Sequence, residues 1–318
     1  MHKTKLLLIC LTKNSWEHIE AIKSLKNVDV VGLCDKNLNN IRELKKYFKD
    51  AIVFSEYKTA INTLQPDAII LSLPHQLHLE VSKFALDRNI SVLKEKPFAL
   101  NLKDAKKLAE VAKNSDSKLM TISQRRFHKT YEKAGPLIAK LGKVIYVDID
   151  FAFNKSTNDW RKSKKTSGGG VVIDCGYHFI DLINHYFGLP DSLECNIWNL
   201  TDDPTCETED YAEIELIYNK SKIIQAKFHR VSFLKKERIR IYGDKGNLTI
   251  MKSKLILHSY NPEQKYTLIC KADFVDAFKK LHKTFFSTKT KNLGIGNYKE
   301  SLLNSLLIEM CYTSAEKN

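Results

Sequence analysis

The sequence predicts an α/β fold in two parts: an N-terminal doubly wound parallel sheet, then an α+β domain built on a large, mostly antiparallel sheet. Three observations predict it. Over roughly the first 120 residues, short apolar runs alternate with stretches of helical apolar spacing, the pattern of βαβ units. Beyond about residue 140, polar/apolar alternation with turn-length gaps takes over, as in an antiparallel sheet with one covered face. The length of 318 residues suits about two domains, each with its own core, and the 43% hydrophobic and 28% charged content is that of a globular chain.

Each element follows in order. Lys5–Leu11 is a continuous apolar run, as a buried parallel strand requires. Ser15–Leu25 carries Ile19, Ile22 and Leu25 at helical spacing. Asp29–Cys34 reads as a strand and Leu38–Tyr47 as a helix. Ala51–Phe54, Asp67–Leu73, Ile90–Leu93 and Leu119–Ser123 are further strands, with helices near 57–64 and 76–88 and over Leu102–Ala112. In the second part, Val144–Phe153, Leu193–Leu200, Tyr211–Tyr218, Lys222–His229, Glu237–Tyr242, Asn247–Met251 and Leu255–His258 read as strands. Helices are expected over Gly170–Phe187, Ala272–Phe285 and Tyr298–Ala315. The expected domains are 1–122 and 123–318, with the last helix free to pack back on the first.

The bulk numbers exclude several classes. The net charge is +14, yet the lysines spread along the chain rather than forming the patch that nucleic acid requires. The densest cluster, Arg161–Lys165, abuts a glycine run and would suit a phosphate. Seven cysteines, an odd number without CxxC spacing, argue against a disulfide framework and a zinc site. No apolar run approaches the ~20 residues of a membrane span, and Leu6–Leu11 is too short for a signal segment. A cytoplasmic protein, with neither nucleic acid nor membrane as partner, is the expectation.

Four segments carry chemistry. The first βα turn, Cys10 to His18, contains no glycine, so it lacks the fingerprint that brings a pyrophosphate to a helix N-terminus. Thr12 and Ser15 are its available phosphate donors, and Ser15 is a good N-cap; an ordinary capped helix explains the segment equally well. Asp35 ends the second strand, where an acid accepts ribose hydroxyls and favours NAD, while Lys36 beside it leaves NADP open; a solvated strand-end acid is the alternative. Glu95-Lys96-Pro97 closes the strand from Ile90, directing Lys96 to the ligand edge of the sheet, whereas Lys94 reads as surface charge. The densest signal is Gly168-Gly169-Gly170 followed by Asp174, His178 and Asp181. The glycines permit a ligand's close approach. The three polar residues share one helix face, and a His near a carboxylate suits proton transfer at neutral pH. A structural His–Asp pair is the alternative; a metal is not expected, since no HxxxH or ligand-rich neighbour is present.

On these residues the chain resembles the oxidoreductases named for glucose–fructose oxidoreductase, inositol dehydrogenase and the MocA protein. The resemblance spans nearly the whole chain. It rests on Leu73-Pro74 with His78, on Glu95-Lys96-Pro97, on Gln124-Arg125-Arg126-Phe127, on Trp160-Arg161, and on Gly168 to Asp181. It implies a Rossmann-type first domain and a hydride exchanged between nicotinamide and a sugar carbon. It implies that Lys96 bonds the reacting oxygen, His178 exchanges the proton, and Asp174 orients the substrate or tunes the His. Pro74, His78, Glu95 and Lys96 then join Thr12, Ser15 and Asp35 around NAD or NADP. Arg125, Trp160 and Arg161 join Asp174 and His178 around a sugar, polyol or nucleotide-linked sugar. A cis bond before Pro97 and a homodimer or homotetramer are further implications. The departure is at the first turn, where the family's glycines fall on Cys10, Thr12 and Ser15. That departure sustains a second reading, a non-catalytic sensor or regulatory protein of the same fold.

Overall fold

The computed structural model describes residues 3–11, 15–154, 159–201, 203–288, 290 and 293–317. They form two compact units, Met1–Gln124 with Phe274–Ser305, and Arg125–Asp273 with Leu306–Asn318. The sequence reading assigns everything after residue 122 to the second domain. In the structure the segment Phe274–Ser305 belongs with the first unit, because its helix lays Phe278 and His282 against His18.

The first unit runs β1 (Thr4–Ile9), α1 (Trp16–Lys23), β2 (Val28–Cys34), α2 (Leu38–Lys45), β3 (Ile52–Phe54), α3 (Tyr57–Leu64), β4 (Ala68–Leu71), α4 (His78–Leu86), β5 (Ser91–Lys94), α5 (Leu102–Asn114) and β6 (Leu119–Thr121). The strand order is β3-β2-β1-β4-β5-β6, every pair parallel. The order reverses between β1 and β4, the switch point beyond whose carboxyl edge such sheets bind ligands. Leu6 to Ile9 on β1 and all of β4 are buried, as expected for central strands covered on both faces. α5 shows how the helices are fixed. Asn101 caps it by accepting from Asp104 N at 2.9 Å, and Ala105, Leu108, Ala109 and Ala112 bury one stripe. Each large apolar side chain so buried contributes about 1.5–3 kcal/mol.

The second unit contains α6 (Gln124–Phe127, beginning at the last residue of the first unit's N-terminal segment), α7 (Lys129–Ile138), β7 (Val144–Asn154), α8 (Lys164–Ser167), α9 (Tyr177–Phe187), β8 (Ser192–Trp198), β9 (Tyr211–Tyr218), β10 (Lys222–His229), β11 (Val231–Gly243), β12 (Gly246–Met251), β13 (Lys254–Tyr260) and β14 (Glu263–Ile269). Its sheet order is β14-β13-β12-β11-β7-β10-β9-β8, antiparallel except for β7 with β10. Ala212, Ile214, Leu216 and Tyr218 alternate inward along β9 and share a core with Phe179, Ile180, Leu182 and Ile183 of α9. Two helices complete the chain: α10 (Val275–Ser287) in the first unit, and α11 (Tyr298–Ala315), whose residues to Ser305 group with the first unit and the rest with the second.

Several elements differ from the sequence reading: the helices α6, α7 and α8 are not expected from it, and three further differences bear on the sheet and the site. β14 was not expected; nearly all of it is exposed, so no burial pattern marks it, and only its ladder to β13 makes it a strand. β11 begins at Val231 rather than Glu237, through an irregular register between Val231 and Lys236. The helix expected over Gly170–Phe187 is a π turn, Val172–Gly176, leading into α9. Gly176 N reaches back five residues to Val171 O at 2.7 Å.

Candidate functional site

In the first unit the expected dinucleotide residues gather where the strands end. Thr12 lies outside the described residues. Cys10 holds φ 55, the left-handed conformation that a glycine adopts without cost, so this end of the turn keeps a glycine's backbone without a glycine. Burial, reinforced by the charge of Asp35, pushes the Cys10 thiol up to about 12. Ser15 stands at the N-cap of α1, but its hydroxyl makes no capping bond; the expected cap is a position and not a bond. Asp35 is mostly buried. One carboxylate oxygen accepts from Asn37 N and the other from Asn40 Nδ2, both at 2.8 Å. Each oxygen retains a lone pair for a ribose hydroxyl.

These residues fit a dinucleotide. The uncapped start of α1, at the carboxyl edge of β1, offers its backbone N–H groups to a pyrophosphate, while the Cys10 N–H is spent on Cys34 O at 2.8 Å. Asp35, held by two local donors at the end of β2, suits an adenosine ribose.

At the end of β5 one of two neighbouring lysines departs from expectation. Lys94, read as surface charge, is 0% exposed. Its ammonium donates to Pro97 O at 2.6 Å, Phe98 O at 3.0 Å and Glu95 O at 3.1 Å. Burial drives its pKa well below the lysine range, against the pull of Glu95. The interior carbonyls of a turn that folds back on itself explain the burial. Lys96 is partly exposed on the same turn, and the Lys96–Pro97 bond is cis.

Two expected cofactor contacts are engaged within the protein. His78 is 0% exposed. Its Nε2 lies 2.9 Å from Leu73 O, and its Nδ1 lies 2.9 Å from Pro97 O and 2.8 Å from Lys94 Nζ. Burial, then the Lys94 charge, holds the ring's pKa well below the ordinary value. The neutral ring donates from Nε2 to Leu73 and sets Nδ1 beside the Lys94 ammonium, whose three hydrogens are shared among this nitrogen and the three carbonyls, so His78 braces the Glu95–Phe98 turn. Glu95 bonds His18 Nε2 through Oε1 at 2.9 Å and accepts from Lys96 N through Oε2 at 3.3 Å. Pro74 is half-buried and begins the short helical turn His75–Leu77.

In the second unit the structure brings Trp160, Arg161 and Asp174 together. The guanidinium of Arg161 lies 4.3 Å over the Trp160 ring, donates to Asp159 at 2.5 Å, and sets Nε 3.5 Å from Asp174 Oδ2. Asp174 sits on the π turn with its side chain 24% exposed. His178, the second residue of α9, is also partly exposed. Asp181 does not join them. It is buried against Arg126, whose Nε and Nη2 reach its two carboxylate oxygens at 2.8 and 2.7 Å. Arg125, expected on the substrate, is likewise buried. Its Nε lies 3.2 Å from Glu237 Oε1, to which Tyr131 also donates at 2.5 Å, and Phe179 stacks 4.9 Å away. A guanidinium sealed with a carboxylate organises the core, so Arg125 is corrected to a structural role.

Sequence reasoning missed Glu209, Tyr312, His18 and His282. Glu209 is buried and accepts from Gly170 N at 2.7 Å, Val172 N at 3.1 Å and Tyr312 Oη at 2.9 Å. Burial raises its pKa despite those donors. It caps the turn that carries Asp174, and nothing in its acid-rich surroundings marks it. His18 and His282 each sit on an apolar helix stripe, beside Ile19 and Ile22, and beside Phe278, Leu281 and Phe285; those placements were their only signal.

Residues 8–123 match the oxidoreductase family's NAD-binding Rossmann fold, and residues 133–249 match the GFO/IDH/MocA C-terminal domain. The chain belongs to this family. An uncharacterized oxidoreductase of Schizosaccharomyces pombe is 28% identical over 54% of this chain and 48% of its own length. The scyllo-inositol 2-dehydrogenase (NADP(+)) IolW of Bacillus subtilis is 25% identical over 57% of this chain and 51% of its own. The matches thus span about half the length of these curated relatives. Levoglucosan dehydrogenase in complex with NADH and levoglucosan superposes with a TM-score of 0.87 at 14% identity, covering 99% of this chain and 98% of that one. At that identity the likeness is one of fold.

Proposed function

We propose that this protein transfers a hydride between a nicotinamide dinucleotide and a hydroxyl or keto carbon of a sugar, polyol or nucleotide-linked sugar. The observation that carries the reading is a contrast on one helix. Asp181 is sealed in an ion pair, while Asp174 and His178 stay accessible with Arg161 beside Asp174. Two polar residues kept accessible among the buried residues of the π turn and the first turns of α9 are suited to a ligand. Relatives that act on scyllo-inositol and bind levoglucosan by name support the substrate class.

The roles follow from chemistry. Lys96, at the carboxyl edge of β5, donates a hydrogen bond to the reacting oxygen. His178 takes the proton of the hydroxyl during oxidation and returns it during reduction. Asp174 orients the substrate and is itself steadied by Arg161. Trp160 and Arg161 extend the substrate side. Asp35 at the end of β2 favours NAD over a 2′-phosphorylated cofactor. When bound, the nicotinamide supplies or accepts the hydride. In this reading the protein works in a reducing cytoplasm, its seven cysteines all free thiols, as a homodimer or homotetramer.

NADH and NADPH titrations by fluorescence, followed by a panel of polyols, free sugars and nucleotide sugars, test the proposal. Saturable binding is expected, and Lys96→Ala is expected to lower turnover by about 100-fold or more while the chain folds and binds cofactor normally. No saturable binding up to millimolar cofactor overturns it. The glycine-free first turn favours one second reading, a sensor or regulatory protein of the same fold. Saturable ligand binding with no turnover of any tested substrate would select that reading.

A further inference from the structure

Behind Lys96 stands a line of buried polar groups that hydride transfer does not by itself require. His282 of α10 places Nε2 3.0 Å from His18 Nδ1 of α1. His18 Nε2 lies 2.9 Å from Glu95 Oε1, and Glu95 Oε2 accepts from the backbone N of Lys96 at 3.3 Å. His18 and His282 are 2% and 0% exposed. The ring of Phe278 meets His18 edge-on at 4.6 Å and that of His282 at 5.1 Å. The line lies wholly within the first unit and links residues 264 positions apart in the chain.

We infer that His18, backed by His282, is a positioning residue that holds Glu95 ionised against the Lys96 turn and so fixes the lysine toward its substrate. This inference rests on the role of Lys96 proposed above.

One proton can be placed. An ionised Glu95 only accepts, so His18 Nε2 carries a hydrogen. The second link joins His18 Nδ1 to His282 Nε2, leaving His282 Nδ1 as the outer nitrogen of the line. That atom is buried without a hydrogen-bond partner among the described residues, and it lies on a ring that burial and the facing His18 keep neutral. The groups facing Glu95 are His18 from α1 and Lys94 and Lys96 from its own strand and turn. Burial alone would push the Glu95 carboxyl up. The hydrogen bond and charge of His18, with Lys96, outweigh it and hold the carboxyl below its ordinary value. Without His18 the burial cost loses its largest counterweight, and the Glu95 carboxyl shifts up, toward holding a proton. A proton on Glu95 weakens its Oε2 as acceptor for the Lys96 backbone N–H, so the turn that carries the lysine loses an outer support.

The test uses the full chain in three forms: wild type, His18→Leu and His18→Gln. Gln supplies an N–H toward Glu95 and an acceptor toward His282, whereas Leu supplies neither. Isotope-edited infrared spectra at pH 7 are expected to show a protonated-carboxyl band in His18→Leu that vanishes when Glu95→Gln is added, and no such band in wild type or His18→Gln. Turnover in His18→Leu is expected to fall by about 10- to 100-fold with KM nearly unchanged, and His18→Gln to restore most of it. A folded His18→Leu whose Glu95 stays ionised, or which turns over at the wild-type rate, overturns the inference. Wild-type protein with no turnover on any substrate defeats the proposed function instead, and the infrared comparison still decides whether His18 holds Glu95 ionised.

Discussion

The chain enters α1 through Cys10, Leu11 and Ser15 without a glycine, and enters the turn before α9 through Gly168, Gly169 and Gly170. By sequence the second junction is the one built for a ligand's close approach. In the structure its glycines answer to the protein. Gly169 has φ +154 and Gly170 faces Glu209, so a Cβ would strike the Tyr312 hydroxyl in one case and the Glu209 carbonyl in the other. The Gly170 N–H is already held by the Glu209 carboxylate. At the first junction Cys10 takes the left-handed conformation without being glycine. A glycine run therefore reports close packing of any kind, and a position where the family has glycine can keep a left-handed backbone without one, as Cys10 does.

The sharpest way to break this comparison is Gly170→Ala. A methyl group there meets backbone, which cannot rotate away. The variant is expected to lose about 3 kcal/mol or more of stability, or to lose the folded second unit, as judged by urea unfolding. Gly188→Ala is the control. Its φ of +73 strains an alanine, but nothing lies within 4 Å of the added carbon, so a loss of about 1–2 kcal/mol is expected. Gly170 has no left-handed φ, so a loss no larger than that of Gly188→Ala would show that the Glu209 backbone gives way and does not keep the glycine.

The next effect sets the buried groups behind the two junctions against each other by pH. His282, behind α1, and His78 are neutral in the native state because burial holds their pKa values well below the ordinary one. The unfolded chain takes up protons on both near pH 6.5 and the native chain does not. Stability from these rings is therefore present above about pH 6.5 and is lost as pH falls, by up to about 1.4 kcal/mol per pH unit for each. Glu209, behind the glycine run, has a raised pKa, so its native form favours the proton and its contribution improves as pH falls from neutrality toward the ordinary carboxyl value. Native-state hydrogen exchange from pH 7 to 5, corrected for intrinsic rates, should show protection falling more steeply in the first unit than in the second, where Glu209 offsets the lowered pKa values of His128 and His229. Replacing both His78 and His282 with a non-titrating residue should flatten the first unit's slope; an unchanged slope would refute the assignment.

What the sequence made legible follows the same division. Strands β1 and β4 were readable because burial on both faces demands a continuous apolar run, and β9 because one covered face demands alternation. Lys96, Asp174 and His178 stood out because charge at a strand edge or on a helix face has no packing purpose. Lys94 was misread for the same reason: only the carbonyls of residues 95, 97 and 98, folded back around it, give its ammonium an interior. Arg125 and Asp181 look like site residues until Glu237 and Arg126 arrive from distant elements. The π turn leaves no trace in composition, and His18 and His282 become partners only through tertiary packing.

The smallest expected effect bears on the first junction itself. Cys10→Gly relieves a left-handed non-glycine, which is worth about 1–2 kcal/mol. It also loosens the unfolded chain by about 0.5–1 kcal/mol and removes a largely enclosed thiol, so net stability should move by less than about 1 kcal/mol in a thermal melt. Cofactor affinity is the more telling readout. If the side chain at position 10 crowds the pyrophosphate, NADH should bind several-fold more tightly to the glycine variant. If Cys10 already holds the backbone where a glycine would, the affinity should stay within about two-fold. The conformation at φ 55 favours the second outcome, because the backbone N–H groups that meet a phosphate are set by φ and ψ and not by the side chain. A large tightening would instead mean that the missing glycines at this junction were lost at the cofactor's expense, and would shift weight toward the sensor reading.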